Sequence, residues 1–170
     1  MWRVFCAALM LLTCAASTTL PSVAAAESLE EAEFAYERGE YTQAARLFGP
    51  LAEQGIASAQ FYLGLMHEKG RGLRQDYPTA LTWFRKAAAQ GYAGPQNNLG
   101  LMYERGRGVR KDLVRAFMWY DLAGAMLSGE EGKSALMRRD QLRAQMTPVQ
   151  IEQAQELVMR CQQSRFKQCD

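Results

Sequence analysis

The chain has 170 residues, of which 48% are hydrophobic and 22% are charged, and its formal net charge is +2. This composition is typical of one globular domain and excludes a long disordered chain, while the charge is too small for a nucleic-acid-binding surface. His67 is the single histidine of the sequence, which excludes a histidine-rich metal site.

Residues 1–26 have the layout of a secretory signal peptide. Arg3 supplies a positive charge, residues 4–16 are apolar, and residues 23–26 place small side chains before a cleavage point after Ala26. The apolar run is shorter than the roughly 20 residues that span a membrane. We therefore expect a secreted, periplasmic protein with no stable membrane span, whose mature part begins at residue 27.

Two other interpretations of this N-terminal segment stay open. The sequence Leu-Leu-Thr-Cys at residues 11–14 resembles a bacterial lipoprotein box, in which Cys14 would carry the lipid. Alternatively, the apolar run forms a buried helix that ends before Pro21, because proline interrupts a helix.

A period of 36 residues organises the chain after this segment. The following pairs share that offset: residues 63–66 and 99–102, 70–72 and 106–108, Asp76 and Asp112, Ala80 and Ala116, Trp83 and Trp119. Such a period is the signature of a repeat protein. The units cover about residues 28–55, 56–91 and 92–127, within a repeat region over 27–127.

Each unit is predicted to form two helices. Ser28, with a glutamate three residues later, forms a capping box that predicts the start of the first helix. In the middle unit the first helix is predicted over residues 58–69 and ends at Gly70. Asp76 is predicted to cap the second helix, and Asp112 is predicted to do the same in the third unit.

Two glycines lie in the middle of predicted helices. Glycine inside a helix costs about 0.5–1 kcal/mol relative to alanine. Gly64 and Gly100 both carry this cost, which indicates that a bulky side chain packs against the bare backbone. We predict that Trp83 or Trp119 is that partner.

The third unit carries the fullest form of the pattern: Leu99-Gly100, Tyr103, Gly106, Gly108-Val109, Asp112, Ala116 and Trp119-Tyr120. This pattern resembles the Sel1-like repeat, a relative of the tetratricopeptide repeat. The middle unit has the same pattern with His67 and Leu73 at the tyrosine and valine positions. The resemblance implies an all-α fold, an α/α solenoid built as a superhelical stack of helix-turn-helix repeats. It also implies a non-catalytic scaffold or adaptor of the cell envelope that binds another protein.

Residues 128–170 leave the period and are predicted to form a C-terminal helical cap. Residues 128–132 are predicted to form a loop and residues 133–145 a helix, and a second helix starts at Thr147, which is followed by a proline. Cys161 and Cys169 remain after signal cleavage and are candidates for a disulfide, which would require the last helix to end between them. Two free thiols are the alternative.

Two surfaces are candidate binding sites for a partner protein. Stacked turns would align Arg71, Arg74, Arg107 and Arg110 into a basic edge that attracts an acidic partner. The first helices would line a concave face, where the polar or amphipathic candidates are Gln60, Tyr62, Gln96, Asn97 and Asn98. The alternative in both cases is that these side chains are solvated and bind no partner.

No catalytic residue, metal site or cofactor is predicted, and the expected partner is a protein rather than a nucleic acid. The small number of units leaves self-association open. Some cysteine-rich members of the resembled family are described as binding or hydrolysing β-lactams, which makes an enzyme an alternative. This chain lacks cysteines inside its repeats. A lipid-anchored assembly factor of the outer membrane is a further alternative.

Overall fold

A computed structural model describes residues 23–169, which form eight α-helices and no strand. The helices are α1 (Val23–Glu37), α2 (Tyr41–Glu53), α3 (Ala57–Lys69), α4 (Tyr77–Ala88), α5 (Ala93–Arg105), α6 (Leu113–Met126), α7 (Gly129–Arg143) and α8 (Pro148–Gln163). Consecutive helices pack on one another from α1 to α7, and α8 packs on α6. The chain is therefore an α/α solenoid of three helical hairpins that ends in two further helices.

The N-terminal predictions lie largely outside this region. Most of the predicted signal peptide and the candidate lipidation site Cys14 precede residue 23. Helix α1 begins at Val23, before the predicted cleavage point after Ala26. Ser28 therefore lies inside α1 and does not cap it, so the predicted helix start is wrong. The alanines at 24–26 explain the difference, since alanine is the strongest helix former.

The turns between the paired helices follow the predicted chemistry. Gly70 ends α3 and Gly106 ends α5, both in the left-handed conformation, with φ of 68° and 66°. Asp76 accepts a hydrogen bond from the Thr79 backbone N–H at 3.2 Å, and Asp112 accepts one from the Arg115 backbone N–H at 3.0 Å. These bonds confirm both predicted caps.

Inside each complete repeat, a glycine lets the two helices approach closely. A Cβ atom added to Gly64 would lie 2.5 Å from the Phe84 ring, and one added to Gly100 would lie 2.6 Å from the Tyr120 ring. Both rings are fully buried. The predicted partners Trp83 and Trp119 are therefore wrong. The aromatic residue that follows each tryptophan in the sequence faces the glycine instead.

Between repeats, a second glycine of each turn contacts the preceding unit. A Cβ atom on Gly72 would overlap the Tyr41 carbonyl at the start of α2, and one on Gly108 would overlap the Tyr77 carbonyl at the start of α4. Both glycines have positive φ, of 68° and 70°. The turn of each repeat is thereby seated on the first residues of the preceding unit's second helix.

Helix α7 begins earlier than the sequence pattern predicts. It starts at Gly129, so most of the predicted loop over 128–132 is helical. Two glutamates in the first turn favour this start because they complement the positive end of the helix dipole. Gly132 is required there, since a Cβ atom would overlap the Leu127 carbonyl oxygen.

Helix α8 closes the fold as predicted. Thr147 and Gln150 form a reciprocal capping box at its start. The helix ends at Gln163, and Cys161 and Cys169 form a disulfide bond with a Cα–Cα distance of 4.5 Å. The tail after α8 brings the Phe166 ring against the turn at Gly91.

The apolar core consists of two clusters. One contains residues of α1, α2 and α3, with Phe48 and Met66 fully buried. The other contains residues of α4 to α8 and both cysteines of the disulfide, with Phe84 and Tyr120 fully buried. The division runs through the middle repeat, between α3 and α4.

Alanine at Gly100 or Gly64 is expected to destabilise the fold by about 1–3 kcal/mol, because the added methyl group must displace a buried ring. This result opposes the gain of about 0.5–1 kcal/mol that helix propensity alone gives. Urea unfolding of each variant measures the effect. Gln155→Ala on the exposed face of α8 serves as a control within about 0.5 kcal/mol of wild type. A stabilised Gly100→Ala would contradict the close-approach interpretation.

Candidate functional site

A cleft of about 560 Å³ opens between the first helices of successive hairpins. We call it the aromatic cleft. It is lined by Phe61 of α3, by Tyr92, Gly94, Asn97 and Asn98 at the start of α5, and by Leu127, Glu130, Glu131 and Ser134 at the start of α7. The cleft therefore depends on the stacking of the second and third hairpins and of α7.

The floor of the aromatic cleft combines two rings with an amide. The rings of Phe61 and Tyr92 meet edge to face, with centroids 5.5 Å apart. Tyr92 keeps 38% of its surface exposed, so it is available to a bound molecule. Asn97 Oδ1 is buried and has no hydrogen-bond partner in residues 23–169. Because this oxygen has almost no accessible surface, a donor bound in the cleft could reach it only after the Asn97 side chain turns outward.

Two carboxylates on other helices act electrostatically on the Tyr92 hydroxyl. Burial raises the pKa of the Tyr92 hydroxyl, and the negative charges of Glu33 and Glu131 raise it further. Burial also raises the pKa of the Glu33 carboxyl, together with the charges of Glu37 and Glu30. Negative charge therefore surrounds Tyr92: Glu131 of α7 lines the cleft, and Glu33 of α1 acts from outside its lining.

The predicted concave residues divide into two groups. Gln60 and Gln96 are buried, with 4% and 0% of their surface exposed, so neither amide is presented to a partner. Gln60 instead donates to the Ala52 carbonyl at 3.1 Å and accepts from Gln90 at 2.9 Å. Asn97 and Asn98, by contrast, line the aromatic cleft as expected for a concave face.

Tyr62 belongs to the first core cluster rather than to the cleft. Its ring stacks on Phe48 with centroids 4.7 Å apart and contacts Tyr36 at 5.0 Å. Burial and the nearby Glu33 raise the pKa of its hydroxyl. Tyr62 therefore supports the first hairpin beside the cleft.

The predicted basic edge is partly used by the stack itself. The Arg71 guanidinium lies 5.2 Å from the centre of the Tyr41 ring and donates to the Tyr36 hydroxyl at 3.2 Å. Arg107 lies 5.6 Å from the centre of the Tyr77 ring in the same arrangement one repeat later. These contacts tie each turn to the preceding unit through cation–π attraction.

Arg74 and Arg110 are exposed. Arg110 also lines a smaller cleft of about 210 Å³ together with Arg85, Tyr103 and Arg115. The basic edge therefore has exposed charges at three of the four predicted positions, Arg71, Arg74 and Arg110, while Arg107 is half-buried. Arg71 and Arg107 also contact tyrosine rings.

Sequence reasoning missed the aromatic residues of the cleft. Phe61 and Tyr92 do not repeat at the 36-residue offset, where Asn97 and Ile56 stand instead. That departure from the period is the signal that could have identified them. Glu33 and Glu131 come from outside the two complete repeats, so the repeat pattern does not place them.

Comparison with known proteins agrees with this architecture. The Sel1 repeat family model matches residues 57–92 and 96–126, which are the second and third hairpins. The chain is a Sel1 repeat protein. Proteins built from Sel1 repeats are typically non-catalytic scaffolds for protein interactions.

Two solved structures are similar to this Sel1 repeat protein. One is c5321, a protective antigen of uropathogenic Escherichia coli strains with an SLR fold, at 28% identity and a TM-score of 0.76 over 85% of this chain. The other is a Sel1 repeat protein from Oxalobacter formigenes, at 32% identity and a TM-score of 0.61 over 67% of this chain. The chain spans 31% and 45% of the lengths of these two relatives. No curated protein matches the sequence significantly.

The part of the chain that the structure describes offers neither a helix long and apolar enough to cross a membrane nor a group of three metal-ligating side chains.

Gln60→Ala is expected to lower the free energy of unfolding by about 1–3 kcal/mol, because it removes two hydrogen bonds made by a buried side chain, each worth about 0.5–1.5 kcal/mol. Asn98→Ala, an amide truncation in the aromatic cleft, should change it by less than about 0.5 kcal/mol. Urea unfolding of both variants checks this difference. Equal losses would contradict the separation of structural and cleft amides.

Proposed function

We propose that this Sel1 repeat protein is a non-catalytic scaffold of the bacterial cell envelope that holds a segment of another protein in its aromatic cleft. The observation that carries the proposal is the combination of partly exposed rings and an unpartnered buried acceptor in one cleft between α3, α5 and α7. Aromatic side chains supply large contact areas in protein interfaces, and central pockets contribute most of the binding energy.

The exposed arginines of the basic edge provide a second contact in this proposal. Arg74 and Arg110 would steer an acidic region of the partner, while Arg71 and Arg107 keep the turns seated. The two surfaces differ in chemistry. Mutations can therefore disrupt binding in the cleft without changing binding at the basic edge, and the reverse.

A photo-reactive amino acid at Asn98 is expected to cross-link a partner protein in the producing cell, because this position lines the cleft. The same residue at Glu152, on the exposed face of α8, is the matched control and should give no adduct. Gel shifts and mass spectrometry of the adducts measure the outcome. Adducts at Glu152 but not at Asn98 would contradict the cleft as the binding surface.

The charge reversals Arg74→Glu and Arg110→Glu should weaken that adduct without destabilising the protein. Arg71→Glu and Arg107→Glu should instead lower stability, because each removes a cation from a tyrosine face. Equal adduct yields in all four variants would exclude a role of the basic edge in binding.

Envelope location is proposed from residues 1–26. The intact mass of the protein recovered from cells distinguishes the processing routes. Cleavage after Ala26 gives a chain that begins at Glu27 and retains the disulfide. A diacylated Cys14 would show a lipoprotein instead, and an uncleaved chain would contradict export.

A further inference from the structure

We infer that the aromatic cleft receives a cationic side chain, lysine or arginine, from a basic segment of the partner protein. This inference rests on the proposed function and adds the chemistry of the bound segment. The charge, the ring faces and the unpartnered acceptor of the cleft all suit such a side chain.

The cleft carries negative charge that the protein itself does not neutralise. Glu33 and Glu131 act on the same Tyr92 side chain from different helices. Neither carboxylate makes a hydrogen bond or ion pair with another residue of the region 23–169. Glu130, which also lines the cleft, is paired with Lys133 at 2.8 Å. Glu131, which lines the cleft, is therefore left for a ligand, and Glu33 adds negative charge near Tyr92.

The ring faces suit a cation. Ammonium and guanidinium groups bind over aromatic faces within about 6 Å of the ring centre. The protein already uses this contact elsewhere, since Lys86 lies 4.3 Å from the centre of the Trp83 ring and Arg71 lies on Tyr41. Phe61 and Tyr92 have no such cation on them in the region the structure covers.

The unpartnered acceptor of Asn97 favours a ligand that carries N–H donors. Asn97 Oδ1 has no partner, and a lysine ammonium supplies three N–H donors while an arginine guanidinium supplies five. An acidic segment would bring a like charge beside Glu131 and leave this oxygen unsatisfied. A purely apolar segment would bury carboxylates without compensation, which is costly. Charge complementarity therefore favours a basic segment over both.

The test is selection of short peptides from a random phage-displayed library on the purified protein. Selected peptides are expected to be enriched in lysine or arginine relative to the unselected library. Their affinity should fall about tenfold or more with Glu33→Gln combined with Glu131→Gln, because interfacial charge pairs contribute strongly to binding. Glu152→Gln combined with Glu156→Gln removes the same charge from α8 and should change affinity less than about twofold.

The possible results of the selection test the cationic side chain and the cleft separately. Enrichment of peptides without basic residues, lost with Tyr92→Ala, would overturn the cationic side chain and keep the cleft as a binding site. Basic peptides weakened equally by the α8 variant would reveal general charge attraction and overturn the inference. Failure to select any peptide would overturn both the inference and the proposed peptide-holding cleft.

The same inference can be tested by changing the peptide instead of the protein, so that no protein variant has to fold. Replacing each lysine of a selected peptide by norleucine, or each arginine by citrulline, keeps its length and removes its charge. One such replacement is expected to abolish the shifts of the Asn97 and Asn98 amide signals in NMR titrations. If no replacement affects those signals, the inference is wrong.

Discussion

The close approach of helix to helix at four glycines determines the architecture of this protein. Gly64 and Gly100 admit a ring from the second helix of their own repeat, and Gly72 and Gly108 admit the backbone of the preceding repeat. A mid-helix glycine costs about 0.5–1 kcal/mol, whereas burial of a phenylalanine side chain stabilises by about 1.5–3 kcal/mol. The ring burial therefore outweighs the helix cost, and the absence of a Cβ atom fixes the spacing of the stack.

Local signals in the sequence predicted the elements well where one residue decides the geometry. Gly70, Asp76 and Thr147 each end or begin a helix by a specific backbone or capping bond, and each does so in the structure. The partner of Gly64 was missed because adjacent residues of a helix point about 100° apart, and the period alone does not tell which of Trp83 and Phe84 faces inward. The start of α7 was missed because Gly129 and Gly132 indicate a loop by residue type, whereas the glutamates between them favour the start of a helix.

The candidate site shows why a repeat pattern predicts structure more readily than binding. Gln60 and Gln96 keep the 36-residue period, and both are buried parts of the stack. Phe61 and Asn97 occupy the same repeat position with different chemistry, and both line the aromatic cleft. Residues that maintain the stack must recur, while residues that define a binding surface are free to differ. The negative charge around Tyr92 comes from α1 and α7, whose placement depends on the whole stack.

The division of the core between α3 and α4 has a dynamic consequence. The first cluster lies at the N-terminal end of the stack and contains no disulfide, so helices α1 and α2 can open at a lower free energy than the half that the disulfide closes. Glu33 moves with the first hairpin and Glu131 with the closed half. A molecule bound by both carboxylates would stabilise the closed state against this local opening. Amide hydrogen exchange in α2 would then slow, although α2 has no residue in the cleft lining.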